Sequence, residues 1–171
     1  MKSLLIIGAG GHGKVVAEIA EDLGYKKIDF LDDNAPEAIG KIGDIEKYID
    51  YGEAFCGIGN NKIREDIIQK IKKAGYTLAT LVHPSAYISR SVKIGQGTVI
   101  EPRAMINTNS IIGEGTIISL GSLIDHDVVI GKYAHINSGA IVKAGGNVSN
   151  YEKLEAGEVV LGYETAVVRK E

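Results

Sequence analysis

The stretch IGEGTIISLGSLIDHDVVIGKYAHI, residues 112–136, carries an aliphatic residue at every sixth position: Ile112, Ile118, Ile124, Ile130 and Ile136. Neither the 3.6-residue period of a helix nor the two-residue period of an ordinary strand produces that spacing. The ruler extends without a break in both directions. It passes back through Ile106, Ile100, Ile94 and Ile88, and forward through Val142, Val148, Leu154 and Val160. Two residues before each of these, most positions are small or slender, from Ala86, Val92, Thr98 and Ala104 to Ala134, Ala140 and Gly146. A hexapeptide repeat of this kind is the signature of a parallel β-helix, in which each hexapeptide supplies one short strand and one corner. Gly95, Gly113 and Gly131 recur at intervals of 18 residues, which marks the same corner of successive three-sided coils. The period does not determine the hand of the coil. The general crossover rule alone would favour a right-handed connection.

Residues 1–80 follow a different rhythm. SLLIIG reads as a buried strand, HGKVVAEIAEDLG as an amphipathic helix stopped by Gly24, and KIDFLDD as a second strand. A short helix is expected around GDIEKYID, then a strand EAFCGIG, a helix NKIREDIIQKIKKAG and a last strand TLATLVH. Strands alternating with helices imply a parallel sheet with crossover helices, a Rossmann-like α/β half domain. The sequence thus divides into an α/β domain over residues 1–80 and a β-helix over residues 81–171.

Composition narrows the function classes. Of 171 residues, 44% are hydrophobic and 24% charged, as in ordinary globular proteins. A net charge of −3 gives no electrostatic reason to expect nucleic acid or an anionic membrane as partner. The single cysteine, Cys56, rules out an internal disulfide and suits a reducing cytoplasm, where we expect the protein to reside. The N-terminal apolar run is too short for a signal peptide, and no segment is long enough to span a membrane. No metal site is expected, because the histidines lack ligand spacing with a third donor.

Two clusters carry chemistry. GAGGHG satisfies G-x-G-x-x-G with Gly8, Gly10 and Gly13 between a strand and a helix, and Asp32 ends the next strand. Such a turn brings backbone N–H groups and a helix N-terminus to a phosphate, and the carboxylate suits a ribose hydroxyl. On spacing alone this suggests NAD, but only one mononucleotide-sized half is present. The second cluster is His126-Asp127. Histidine titrates in the range a general base needs, and a neighbouring carboxylate can fix its tautomer. Adjacent side chains on a strand point to opposite faces, so the pair can meet only at a corner, where the repeat places residues 125–127. The bland alternative is a pair of solvated corner residues. One coil beyond His126 lies Ala144, whose N–H is a candidate oxyanion donor. His83 in VHPSA is expected to be structural.

The order GAGGHGK, FLDD, GIGNNKIR, VHPSAYIS and IDHDVVIGKYAHI resembles the sugar acyltransferases of the sialic acid O-acetyltransferase and UDP-N-acetylbacillosamine N-acetyltransferase type. The resemblance implies a left-handed β-helix, acetyl-CoA as cosubstrate without a metal, a sugar acceptor, and a homotrimer with the CoA site between subunits. It implies His126 as general base with Asp127 supporting it, and His135 and Ala144 at acetyl-CoA. It also turns the glycine-rich domain to a nucleotide sugar, with Gly10, Gly11 and His12 at the phosphates and Asp32, Asp33 and Gly59 at the nucleoside or sugar. The chain departs from the family pattern after Val148. The ending VVLGYETAVV comes about a coil early, Tyr163 and Glu164 stand in for a proline-containing turn, and Glu152 and Glu158 take small positions. The departure leaves a second expectation open, a nucleotide-sugar-binding homologue without catalysis. Lys153, Arg169 and Lys170 are candidate partners of CoA phosphates, with solvated charge as the simpler expectation.

Overall fold

The computed structural model describes residues 2–163. Arg169, Lys170 and Glu164 therefore lie outside the described residues. The chain forms two compact units, one ending at Pro84 and the next beginning at Ser85.

The first unit is built on a four-stranded parallel sheet. Its strands β1 (Ser3–Ile7), β2 (Lys27–Leu31), β3 (Glu53–Cys56) and β4 (Thr77–Leu78) lie in the order β2-β1-β3-β4. Leu4, Leu5, Ile6 and Ile7 of β1 are all fully buried, as expected of a central strand covered on both faces. Helix α1 (Gly11–Asp22) buries Gly13, Val16, Ile19 and Ala20, one stripe at three- and four-residue spacing. Helix α2 (Asn61–Lys73) is capped by Asn60, whose Oδ1 accepts from the N–H groups of Lys62 and Ile63 at 3.1 Å. Lys70, Lys72 and Lys73 complement the negative end of its dipole. The short helix around residues 43–50 takes the tighter 3-10 form over Ile42–Tyr51, interrupted at Tyr48. TLATLVH is two strands rather than one: β4 pairs with β3, and β5 (Leu81–Val82) follows after a break at Ala79 and Thr80.

The second unit is a parallel β-helix of two-residue strands. Strands 18 residues apart stack into three faces. Face one comprises Lys93–Ile94, Ile111–Ile112, Val129–Ile130 and Asn147–Val148. Face two comprises Val99–Ile100, Ile117–Ile118, His135–Ile136 and Lys153–Leu154. Face three comprises Tyr87–Ile88, Met105–Ile106, Leu123–Ile124, Ile141–Val142 and Val159–Val160. The second residue of each strand points inward, and every ruler residue from Ile100 to Leu154 is at most 2% exposed. Burying each such side chain contributes about 1.5–3 kcal/mol. The small positions fill the corners. Where they are hydroxylic, they accept burial by bonding corner carbonyls: Ser110 Oγ donates to Asp125 O at 2.7 Å, and Ser122 Oγ to Ser119 O at 2.8 Å. At Gly95, Gly113 and Gly131 a Cβ would lie 2.4–2.6 Å from a backbone nitrogen of the next coil, so only glycine lets the coils close there.

Candidate active site

His126 and Asp127 form the turn between Leu123–Ile124 on face three and Val129–Ile130 on face one. Asp127 has φ +57°, in the left-handed region that Asn, Asp and Gly tolerate best. Its equivalents one coil either side are Asn109 at φ +61° and Gly145 at φ +71°, so the column is filled by residues suited to that conformation. The left-handed residue breaks strand alternation and turns the Asp127 carboxylate onto its own neighbour: His126 Nδ1 lies 2.7 Å from Asp127 Oδ2. Asn109 Nδ2 donates to the other carboxylate oxygen at 3.2 Å, while Asn109 N–H is held by Ser91 Oγ at 2.9 Å. The backbone N–H of His126 donates to Asp125 Oδ1 at 2.7 Å, and Asn107 Nδ2 donates to that same oxygen at 3.2 Å.

The electrostatics follow from this geometry. The bond from Asp127, reinforced by the charges of Asp125 and Asp127, holds the His126 pKa above its ordinary 6.5. The same bond, with that from Asn109 and the charge of His126, lowers the Asp127 pKa. With Nδ1–H directed at the carboxylate, Nε2 carries the lone pair of the neutral ring. The imidazole stands at a cavity of about 360 Å³ lined by Asp125, His126, Lys143, Ala144 and Tyr163. Ala144 occupies the place of His126 one coil on, and among the described residues its N–H has no hydrogen-bond acceptor. A neighbouring groove of about 510 Å³ shares Asp125 and Lys143 and runs along face three, beside Tyr87, Met105, Leu123 and Ile141. Tyr87, Met105, Leu123 and Val159 form an outward ladder of exposed apolar side chains on that face. His135 projects from face two, its Nε2 3.1 Å from Ser119 Oγ, and does not line the His126 cavity.

In the first unit, the glycine turn after β1, Asp32 and Asp33 after β2, and Gly59 after β3 all lie at the carboxyl ends of the strands. The order reverses between β1 and β3, the point at which open α/β sheets bind ligands. The glycines divide by role. A Cβ on Gly13 would sit 2.0 Å from Gly8 O, and one on Gly57 would sit 2.7 Å from Gly13 Cα, so these are packing glycines. Gly10 and Gly11 face open space, and the N-cap Gly10 offers no side chain to the first N–H groups of α1. That helix end suits an anion. His12 is half-buried, and desolvation together with the Arg64 charge lowers its pKa to about 4, so it is neutral at physiological pH. Buried Arg64 braces the loop after β3 through Gly59 O at 3.0 Å and Asn61 Oδ1 at 2.8 Å. Asp32 differs from the sequence expectation in what it touches. Its carboxylate accepts from the backbone N–H groups of Ala9 (2.9 Å), Asn34 (2.8 Å) and Ala35 (3.0 Å), which hold its pKa below the usual range. It fixes the glycine turn directly. Asp33 accepts from Ile42 N–H at 3.1 Å. His83 pairs with Asp22 at 3.1 Å, in keeping with a structural part.

Residues 3–71 match the PglD N-terminal domain family. Over 93% of its length the chain superimposes on the acetyltransferase domain of PglB from Neisseria gonorrhoeae FA1090. That match has a TM-score of 0.89 and 33% identity, and takes in 82% of the PglB domain. The chain belongs to the PglD-like family of hexapeptide-repeat acetyltransferases. Its repeats build the left-handed β-helix of these PglD-like proteins. PerB from Caulobacter crescentus, solved in complex with CoA and GDP-perosamine, is 29% identical with a TM-score of 0.80; the match covers 94% of this chain and 89% of that one. A UDP-N-acetylbacillosamine N-acetyltransferase of Bacillus subtilis (strain 168) is 29% identical over 109 residues, 57% of this chain. That match spans half the length of the curated relative. The PglB domain has also been solved in complex with acetyl coenzyme A.

Among the described residues, no group of three or more His, Cys, Asp or Glu is arranged to hold a metal ion. No described helix is long and apolar enough to cross a membrane. Sequence reasoning did not single out Asn109, Asp125 or Lys143. The signal was available in the 18-residue ruler, which places Asn109 one coil before Asp127 and Lys143 one coil after Asp125.

Proposed function

We propose that this protein is an acetyl-CoA-dependent N-acetyltransferase acting on a nucleotide-linked amino sugar, with His126 as general base. The observation that carries this reading is the His126–Asp127 pair, hydrogen-bonded at 2.7 Å and opening on a cavity that Ala144 also lines. Nε2 of His126 takes a proton from the acceptor amine as its nitrogen attacks the thioester carbonyl. The imidazolium that forms is stabilised by Asp127. The Ala144 N–H faces the developing oxyanion. The tetrahedral intermediate then collapses, the C–S bond breaks, and the departing thiolate recovers the proton, giving an amide and free CoA.

In the first unit, Gly10, Gly11 and His12 receive the phosphates of the nucleotide. Asp33 and Gly59 line the nucleoside or sugar, and Asp32 shapes the turn. The apolar ladder on face three supports assembly as a homotrimer, with acetyl-CoA between subunits and His135 contributed at that seam. A reducing cytoplasm is the compartment that suits the free, buried Cys56.

Release of free thiol from acetyl-CoA, followed with a panel of UDP-, dTDP- and GDP-linked amino sugars, tests the proposal. Turnover is expected with at least one acceptor, and His126→Ala is expected to lower it by about 10²–10⁴-fold. Equal turnover by His126→Ala would overturn the role of the base. Nucleotide-sugar binding without turnover on any acceptor would favour a non-catalytic binding protein instead.

A further inference from the structure

Two parallel polar columns climb the corner that carries His126. Ser89, Asn107 and Asp125 form one, and Ser91, Asn109 and Asp127 the other, each residue 18 positions from the next. Successive coils lie about 4.8 Å apart, within reach of a short polar side chain. In the first column Ser89 Oγ lies 3.4 Å from Asn107 Oδ1, and Asn107 Nδ2 donates to Asp125 Oδ1 at 3.2 Å. That oxygen also receives the backbone N–H of His126. In the second column the Asn109 N–H donates to Ser91 Oγ and Asn109 Nδ2 to Asp127 Oδ1, while Asp127 Oδ2 faces His126 Nδ1. The first column holds the His126 backbone and the second its ring. Asn109 has φ +61°, in the left-handed region that Asn, Asp and Gly tolerate best. Of those three, only asparagine carries a side-chain donor. Because the amide engages one Asp127 oxygen and the imidazole the other, the carboxylate cannot turn about its Cβ–Cγ bond without breaking one of these bonds.

We propose that Asn109 is a positioning residue of the His126 site: by fixing the plane of the Asp127 carboxylate it selects the Nδ1–H tautomer, the form in which Nε2 can act as a base. The role in catalysis rests on the acetyltransferase reading above; the effect on the tautomer does not. An ionised carboxylate only accepts, so the ring nitrogen facing it keeps the proton. Free histidine prefers the other neutral tautomer, with the proton on Nε2, so the preference at His126 is supplied by its surroundings. Asn107 has a separate task, since its column ends on Asp125 and the His126 backbone and does not touch Asp127.

The test reads the neutral tautomer of His126 from the nitrogen chemical shifts of its ring, in the intact protein above the pH of its titration. The resonances are assigned by their loss in His126→Asn. Asn109→Gly removes the amide, tolerates the positive φ and keeps the N–H bonded to Ser91 Oγ, so the coil is retained. It is expected to give a mixture of tautomers and to lower kcat by about two- to tenfold, the worth of one hydrogen bond, with KM little changed. Asn109→Asp keeps the shape and sets a carboxylate against Asp127. The ionisable groups around His126 are Asp125, Asp127, Lys143 and Tyr163, and one more negative charge beside them is expected to move the His126 titration to higher pH. Asn107→Ala loosens Asp125 but leaves Asp127 its donor, and is expected to keep the wild-type tautomer. An Asn109→Gly protein with the wild-type tautomer overturns the proposal, and so does an Asn109→Asp titration that superimposes on the wild type. An equal mixture of tautomers in Asn107→Ala also overturns it, by assigning the effect to the corner as a whole. A mixed tautomer in an Asn109→Gly protein whose parent acetylates no sugar upholds the positioning role and removes the acetyltransferase reading instead.

Discussion

Gly113→Ala isolates the closeness of the coils, on which the geometry of the site depends. Gly113 does not have a positive φ, so alanine brings no conformational strain of its own. The cost arises from contact. The new Cβ would sit 2.6 Å from Lys132 N, 2.7 Å from Gly131 C and 2.8 Å from Lys132 Cα, all backbone atoms with no side chain to swing aside. An ordinary carbon contact of about 3.5 Å requires the two coils to part by about 0.8 Å at this corner. The bond from Gly113 N–H to Ile130 O, 2.9 Å in the native coil, then lies beyond hydrogen-bonding range. Its loss costs about 1 kcal/mol. The strain transmitted to the aliphatic stack adds about 1–3 kcal/mol. Gly113→Ala is therefore expected to destabilise the β-helix by about 2–4 kcal/mol. Urea unfolding at fixed protein concentration reads the difference as a lower midpoint with an unchanged slope. A midpoint corresponding to less than about 0.5 kcal/mol would refute the reasoning, because it would mean that the coils separate at this corner at almost no cost.

Further outcomes follow from the two sites. Asp127→Asn removes what holds the His126 pKa above 6.5. Because the neutral ring is the base, the acid limb of the kcat/KM profile should move to lower pH as the plateau falls; a limb that stays in place would show that Asp127 does not set it. Asp32→Asn keeps the shape but loses the charge that receives three backbone N–H groups, so nucleotide-sugar affinity measured by calorimetry should fall. In the wild type, a carboxyl with a depressed folded pKa contributes stability above its unfolded pKa and loses it as pH drops through the folded one, so the Asp32 contribution should disappear on strong acidification. Cys56 is buried, and desolvation raises its thiol pKa to about 12. It should resist an aromatic disulfide reagent in the native protein and react stoichiometrically after denaturation.

The two architectures were legible because each has its own period. Ile112, Ile118 and Ile124 declare six as plainly as Val16, Ile19 and Ala20 declare a helix. The turn residues of the glycine motif were also legible, because only glycine allows the contacts at Gly8 and Gly13. Contacts within the sites were harder to read. His126 and Asp127 could be placed at a corner, but their pairing depends on the positive φ of Asp127, a single-residue conformation with no periodic trace. Asn109 and Tyr163 are remote in sequence and reach the dyad only through the 18-residue stacking. The carboxylate of Asp32 points to the turn rather than outward because three backbone N–H groups converge on it. Sequence spacing does not reveal where such donors point. TLATLVH read as one strand because Thr, Leu and Val dominate it, and the sheet of the first unit takes only Thr77–Leu78.

The stacking interval also governs how such a chain can change length. Inserting or deleting 18 residues adds or removes a full storey and leaves every column in register, so Asn109, Asp127 and Gly145 would still stand in line. A change of six residues keeps the aliphatic ruler intact but rotates everything downstream by one face, which would carry the partners of His126 to a different side of the prism. A length that is not a multiple of six breaks the ruler itself. A lineage of such proteins is therefore free to grow or shorten in whole storeys, whereas its chemistry is confined to the storeys on either side of one corner.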